Sequence, residues 1–246
     1  MPESEPLLQY PRRQLIRGTL RTLIRAALHS LADIEISGRE NLPKSGPLLV
    51  VANHFSFLDP VAVIDATPWP LEFIGSPRRP NAPKVVGWFA DVWGILPVYR
   101  GTASRGALLA SNKVLNLGGV LGVFPEGGSW ATVLRPARPG AAFLASRSQA
   151  QLLPMGLDGL LDVLPMARRG KRAKVHIRFG KPFGPYYVSE RGETNRQRLE
   201  EIGHEIMRRI AELIPPERRG HYSDNPAIRA AAKGTEVYPW AGIAEM

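Results

Sequence analysis

From residue 12 to 32 polar and apolar positions alternate with a helical rhythm. Arg13, Arg17, Arg21 and Arg25 recur every four residues, while Ile16, Leu20, Leu23, Ile24, Ala27, Leu28 and Leu31 fill the other side. Arginine stems can lie along apolar surface with their heads in water. The pattern therefore fits either an amphipathic helix lying on a membrane surface or a core-facing helix with a solvated basic face. Gly18 weakens the helix slightly. The first ten residues of the chain read as a loose tail.

Downstream the period shortens. Residues 33–37 alternate as a half-buried strand, and 38–47 (GRENLPKSGP) form a turn-rich connection. Residues 48–52 are a short apolar run suited to a buried strand. Helical pattern follows over 60–66, stopped by Pro68 and Pro70, then a strand over 72–75 and a basic, Pro-rich loop carrying Arg78, Arg79 and Lys84. Extended structure is predicted over 95–99, a helix over 104–117 closed by Gly118 and Gly119, and a buried strand over 120–124. Residues 139–150 read as helix, 152–157 and 174–179 as strands, and 192–214 as a charged amphipathic helix ended by Pro215 and Pro216. Residues 217–246 show little periodicity. Short strands alternating with helices predict an α/β fold: a mixed, largely parallel sheet flanked by helices, with the N-terminal amphipathic helix outside it.

The chain has 246 residues, 44% of them hydrophobic, enough for one large domain with a full core. It has no cysteine, which excludes disulfide scaffolds, thiolate metal sites and cysteine nucleophiles. A formal net charge of +10 favours an anionic partner: nucleic acid, an acidic membrane surface or a phosphorylated small molecule. No stretch approaches the roughly 18–20 apolar residues that span a bilayer. Glu3, Glu5 and the arginines before Leu31 do not suit a signal peptide. Membrane contact is thus expected from the surface, peripheral or monotopic, on the cytoplasmic face.

The chemistry begins where the strand 48–52 runs into Asn53-His54-Phe55-Ser56-Phe57-Leu58-Asp59-Pro60. Open α/β sheets carry their sites at the carboxyl ends of strands. A neutral imidazole takes a proton from a hydroxyl when a buried carboxylate fixes its tautomer and stabilises the cation. Five residues on a regular helix leave two side chains roughly 140° apart. His54 should therefore sit in the turn, with Asp59 reaching back from the helix that follows. Alone, the spacing is unspecific, and a histidine capping a helix explains it equally well. Three more segments follow in order. Arg100 stands just past an extended run, and an arginine fork suits phosphate. Phe124-Pro125-Glu126-Gly127-Gly128 follows a buried strand, its glycines open to close approach. Leu153-Pro154-Met155-Gly156 closes another strand.

Together these segments resemble the glycerolipid acyltransferase family, the 1-acyl-glycerol-3-phosphate acyltransferases and their relatives. The resemblance runs from about residue 37 to 156, and more weakly through 180–183 and 215–220. It implies His54 as general base and Asp59 as its orienting carboxylate, with Asn53 beside them. Arg100 would bind the acceptor's phosphate, and Glu126, Gly127 and Gly128 would line the acceptor site. Pro154 and Gly156 would shape the acyl-donor side. The implied donor is acyl-CoA or acyl-ACP (a coenzyme A or acyl carrier protein thioester), attacked directly, with no cofactor and no metal. The implied partners are membrane lipids and the acyl carrier, with no nucleic acid. The implied acyltransferase domain spans 37–214, between an N-terminal segment 1–36 and a tail 215–246.

Two departures bear on the acceptor. Most members continue Phe-Pro-Glu-Gly with Thr-Arg, where this chain has Gly128 and Ser129; Arg135 or Arg138 could supply the missing charge. Many carry a lysine after the strand that follows the first motif, where Gly75 and Ser76 stand here, with Arg78, Arg79 and Lys84 nearby. Another lipid or glycolipid acceptor, or a non-catalytic lipid-binding role, are the alternatives. A hydrolase using Ser56 or Ser129 is disfavoured, because Gly127-Gly128-Ser129-Trp130-Ala131 lacks the final glycine of a nucleophile elbow.

Overall fold

The computed structural model of the chain describes residues 10–76, 84–98, 105–187 and 193–239. Helix α1 (Gln14–Leu31) runs directly into β1 (Ala32–Ser37). Strand β2 (Leu48–Ala52), helix α2 (Asp59–Ala66), strand β3 (Leu71–Gly75), helix α3 (Lys84–Trp93) and the short β4 (Leu96–Pro97) follow. Next come α4 (Arg105–Asn116), β5 (Val120–Val123), α5 (Pro139–Ser148), β6 (Gln151–Asp158) and α6 (Val163–Ala167). The chain continues through β7 (Ala173–Phe179), α7 (Glu193–Ala211) and α8 (Pro226–Ala232).

The seven strands form one sheet in the order β1-β7-β6-β2-β5-β3-β4. All neighbours are parallel except β6 and β7, so β7 and β1 run against the other five. Strand β2 is buried at every position and lies between β5 and β6. Its residues alternate between layers: Leu48, Val50 and Ala52 pack with α1, α2, α3 and α6, and Leu49 and Val51 with α4, α5 and α7. A sheet covered on both faces needs such unbroken apolar strands, and this is why they read as runs rather than alternations.

Two elements differ from what the sequence suggests. Residues 84–93, next to a Pro-rich stretch, form α3, with Phe89, Val92 and Trp93 turned into the core. Residues 215–239 leave the end of α7 through two 3-10 turns, form α8, and fold back onto the loop that follows β5. The glycine at 220 is required there: its φ is +47°, and a Cβ would meet the Leu134 carbonyl oxygen at 2.3 Å.

The arginine stripe of α1 faces the protein. Arg17 is buried and pairs with Glu72 of β3 through both terminal guanidinium nitrogens, at 2.7 and 2.8 Å, and Arg12 binds the same carboxylate. Arg21 donates to the carbonyls of Ile64, Thr67 and Trp69, Arg13 to those of Asp91 and Val92, and Arg25 pairs with Asp65. Leu20, Ile24 and Leu28 share that side and enter the core. The opposite side carries Leu15 at 89% exposure and Leu23 at 61%, with Ile16, Ala26 and Ala27. The sequence pattern set the arginines opposite Leu20, Ile24 and Leu28; in the fold Arg17 lies with those three against the protein, and of the apolar positions it is Leu15, Ile16 and Leu23 that stay exposed. Carbonyls at the ends of α2 and α3 draw the guanidinium groups inward.

Candidate active site

Parallel strands β2 and β5 end side by side, with Val51 opposite Val123, so the turns that follow them meet. The first turn holds His54 and the second holds Phe124 and Glu126. Helix α2 opens on Asp59 with Pro60 in its first turn, a sequence suited to a helix start. From there the Asp59 carboxylate reaches back. Its Oδ2 lies 2.9 Å from His54 Nδ1 and accepts the amides of Phe55 and Ser56, each at 2.7 Å. Burial pushes the Asp59 carboxyl up, and the His54 ring and the two amides oppose that. An oxygen that accepts two amides takes a proton-bearing Nδ1 as its third partner, which leaves Nε2 as the basic nitrogen.

The His54 ring stacks on Phe124, with centroids 4.3 Å apart, and Phe124 stacks in turn on Phe73 at 6.1 Å. The His54 side chain keeps 16% exposure, enough for a substrate to reach it, while Asp59 is buried beneath. Ser56 is committed to the turn: its amide serves Asp59 and its Oγ accepts the Leu58 amide at 3.2 Å.

The Glu126 carboxylate turns inward. Its Oε1 accepts the backbone amide of His54 at 2.8 Å, and its Oε2 accepts the amide of Arg135 at 3.2 Å with Arg135 Nε also at 3.2 Å. Burial pushes this carboxyl up to about 8, against the pull of Arg135 and the two amides. Asn53 is likewise directed inward, donating to the Leu157 carbonyl and accepting its amide, both at 2.8 Å, which ties the end of β2 to β6. Gly127 and Gly128 lie on the loop surface. Arg138 is exposed, its Cγ resting 3.2 Å from where a Cβ on Gly127 would stand and its Nη2 donating to the Glu236 carbonyl at 3.0 Å. Pro154 and Gly156 are buried in β6, against Gly180 and Leu213 respectively. Arg100, Arg78 and Arg79 lie outside the described residues. No cluster of three His, Cys, Asp or Glu side chains suited to a metal occurs among the described residues.

A sequence profile of the Acyltransferase family matches residues 33–158, just over half of the chain and the whole of the strand-end cluster. This chain belongs to the acyltransferase family. Two bacterial relatives of this family member are 1-acyl-sn-glycerol-3-phosphate acyltransferases. The one from Streptococcus pneumoniae (strain ATCC BAA-255 / R6) is 25% identical over 72% of this chain and 64% of its own length. The chain therefore spans less than two thirds of that relative's length. The one from Bacillus subtilis (strain 168) is 21% identical over 73% of this chain and 87% of its own. The crystal structure of the 1-acyl-sn-glycerophosphate (LPA) acyltransferase PlsC from Thermotoga maritima superposes with a TM-score of 0.56 at 22% identity, covering 81% of this chain and 83% of the other. That likeness concerns the fold. Within this acyltransferase-family chain, the ring stacking of Phe124 and the buried partnership of Glu126 with Arg135 were not legible from residue order. Their only signal is that both belong to the turn after β5, the strand next to β2.

Proposed function

We propose that this family member transfers a fatty-acyl group from an acyl-CoA or acyl-ACP thioester to a hydroxyl of a lysophosphatidic-acid-like acceptor in phospholipid biosynthesis. The observation that carries the reading is the 2.9 Å contact between His54 Nδ1 and buried Asp59 at the mouth of two parallel strands. His54 Nε2 takes the proton of the acceptor hydroxyl as its oxygen attacks the thioester carbonyl. The new C–O bond forms, the C–S bond breaks, and the proton passes from His54 to the departing thiolate. Asp59 holds the ring and stabilises its cation. Arg138, beside Gly127, and Arg100 are the proposed partners of the acceptor's phosphate. Pro154 and Gly156 act on the donor side through the shape they give β6.

The test is a mass-spectrometric assay of purified protein with a panel of lysophospholipids and both thioester donors. A gain of one acyl mass on a phosphate-bearing lysolipid is expected. Acyl gain only on phosphate-free acceptors, or thioester hydrolysis without transfer, would sink this reading.

The outer side of α1 supports a membrane-surface site for this reaction. Among residues 15, 16, 19, 22, 23, 26, 27 and 30 there is no charge. The hydroxyls of Thr19, Thr22 and Ser30 donate to carbonyls of their own helix. A face so self-satisfied loses little when it leaves water. Exposed Val85 and Trp88 stand on α3, which packs beside α1. No helix among the described residues is long and apolar enough to cross a membrane. Replacing Leu15 and Leu23 together by glutamate is expected to weaken binding to anionic liposomes at least about tenfold in a flotation assay, since burying one leucine contributes about 1.5–3 kcal/mol. Unchanged flotation would reject this surface.

A further inference from the structure

We infer that Arg135 is a positioning residue for His54, acting through Glu126, and that the C-terminal segment holds it in place. The inference rests on the reading of His54 as the base.

The connection is continuous. Glu126 receives the His54 amide on one oxygen and Arg135 on the other. The Arg135 guanidinium also donates to the Gly128 carbonyl and lies over the Trp130 ring, 3.7 Å from its centre. Its side chain is only 1% exposed. The far side of the Trp130 system belongs to the tail. Trp130 Nε1 donates to the Thr235 carbonyl at 2.8 Å, and the Tyr238 ring meets Trp130 edge-on at 5.3 Å. The tail grips the backbone as well. Leu134, the residue before Arg135, donates to the Arg218 carbonyl at 2.9 Å and accepts the His221 amide at 3.1 Å.

Each link has a physical reason. The turn carrying His54 leaves a strand and has no ladder to fix it, so the amide of His54 needs an acceptor of its own. The buried carboxyl group of Glu126 supplies one, and a cation beside it opposes the rise that burial forces on it. Arg135 is that cation, and an arginine so enclosed is not a ligand for an incoming phosphate. It stands six residues after Ser129, and it serves the catalytic turn instead of the acceptor. A base displaced by about 1 Å loses about 10²-fold in rate. Arg135 therefore affects turnover more than substrate affinity.

The experiment compares Arg135→Met, Arg135→Lys, Glu126→Gln, the double variant Glu126→Gln/Arg135→Met and His54→Ala, each as the full chain, in steady-state acyl transfer and thermal unfolding. Arg135→Met is expected to lower kcat about 10–100-fold with both KM values within about twofold, and Arg135→Lys to recover part of it. The double variant falls short of the summed single losses, because the two residues act as one unit. If Arg135→Met does not fold, Arg135→Lys carries the test, with kcat lowered severalfold and KM unchanged. An acceptor KM raised more than tenfold at constant kcat overturns the inference and makes Arg135 a phosphate ligand. A lowered Tm with wild-type kcat overturns it as well, leaving only a structural role. If His54→Ala is inactive while both arginine variants keep wild-type kcat, this inference alone fails. If His54→Ala keeps wild-type turnover, the base reading itself fails.

Discussion

His54→Ala is expected to lower the turnover number of acyl transfer by about 10²–10⁴-fold, the usual contribution of a positioned general base. The protein should remain folded, with circular dichroism and Tm close to wild type. The ring rests on Phe124 at the surface of the site, and the backbone amide that Glu126 holds is present in any residue at this position. Asp59→Asn should reduce turnover in the same direction, because an amide that presents its N–H to Nδ1 selects the wrong tautomer. It should also destabilise the fold, since Asp59 additionally accepts the amides of Phe55 and Ser56. The pair of variants therefore separates chemistry from architecture: alanine at 54 removes only the first, asparagine at 59 disturbs both. Wild-type turnover in His54→Ala would refute the base assignment.

The largest effect on stability is expected from Glu72→Gln. Glu72 is fully buried and binds Arg17 and Arg12, the points where α1 is joined to the sheet. Removing its charge leaves the buried guanidinium of Arg17 uncompensated, at a cost of about 3–5 kcal/mol. For a chain of this size that lowers Tm by roughly 10 °C. The pH dependence follows from the direction of the shift. Burial raises the Glu72 carboxyl, but the two arginines outweigh it and hold the group below the ordinary value of 4.5. A carboxyl with a lowered folded pKa contributes fully above its unfolded value, and the contribution disappears as pH falls through the folded value. Wild type should thus lose stability below about pH 4.5 through this group. Glu72→Gln should lack that component of the acid loss. A Tm within about 2 °C of wild type, the shift of roughly 1 kcal/mol or less, would show that α1 is held by its apolar contacts alone.

The two predictions differ in how far the sequence foresaw them. The histidine and its carboxylate were readable because their relation is local: a buried strand, a turn, and a helix beginning at a proline fix where residues 54 and 59 stand. Glu72 showed only as the first polar position of a short strand. Its meaning came from Arg17, 55 positions earlier.

The same division runs through the molecule. Periodicity determined most strands and helices, because alternation and helical repeat are imposed by local backbone geometry and one-sided burial. The residue types in the strand-end turns determined the chemistry on offer. What covers each face was decided only in the folded chain. Arginines and leucines on α1 gave an amphipathic pattern, and nothing local said that helix-end carbonyls and Glu72 would draw the arginines inward and leave Leu15 and Leu23 outside. Helix α3 escaped notice beside prolines that suggested a loop, and residues 215–239 carried too little period to show a partner. The inward turn of Glu126 toward Arg135 and the His54 amide was likewise settled by the adjacency of β2 and β5, which are separated by three helices and two strands in the chain. Local order is written in neighbouring residues, whereas a buried charge takes its role from a partner that the fold brings to it.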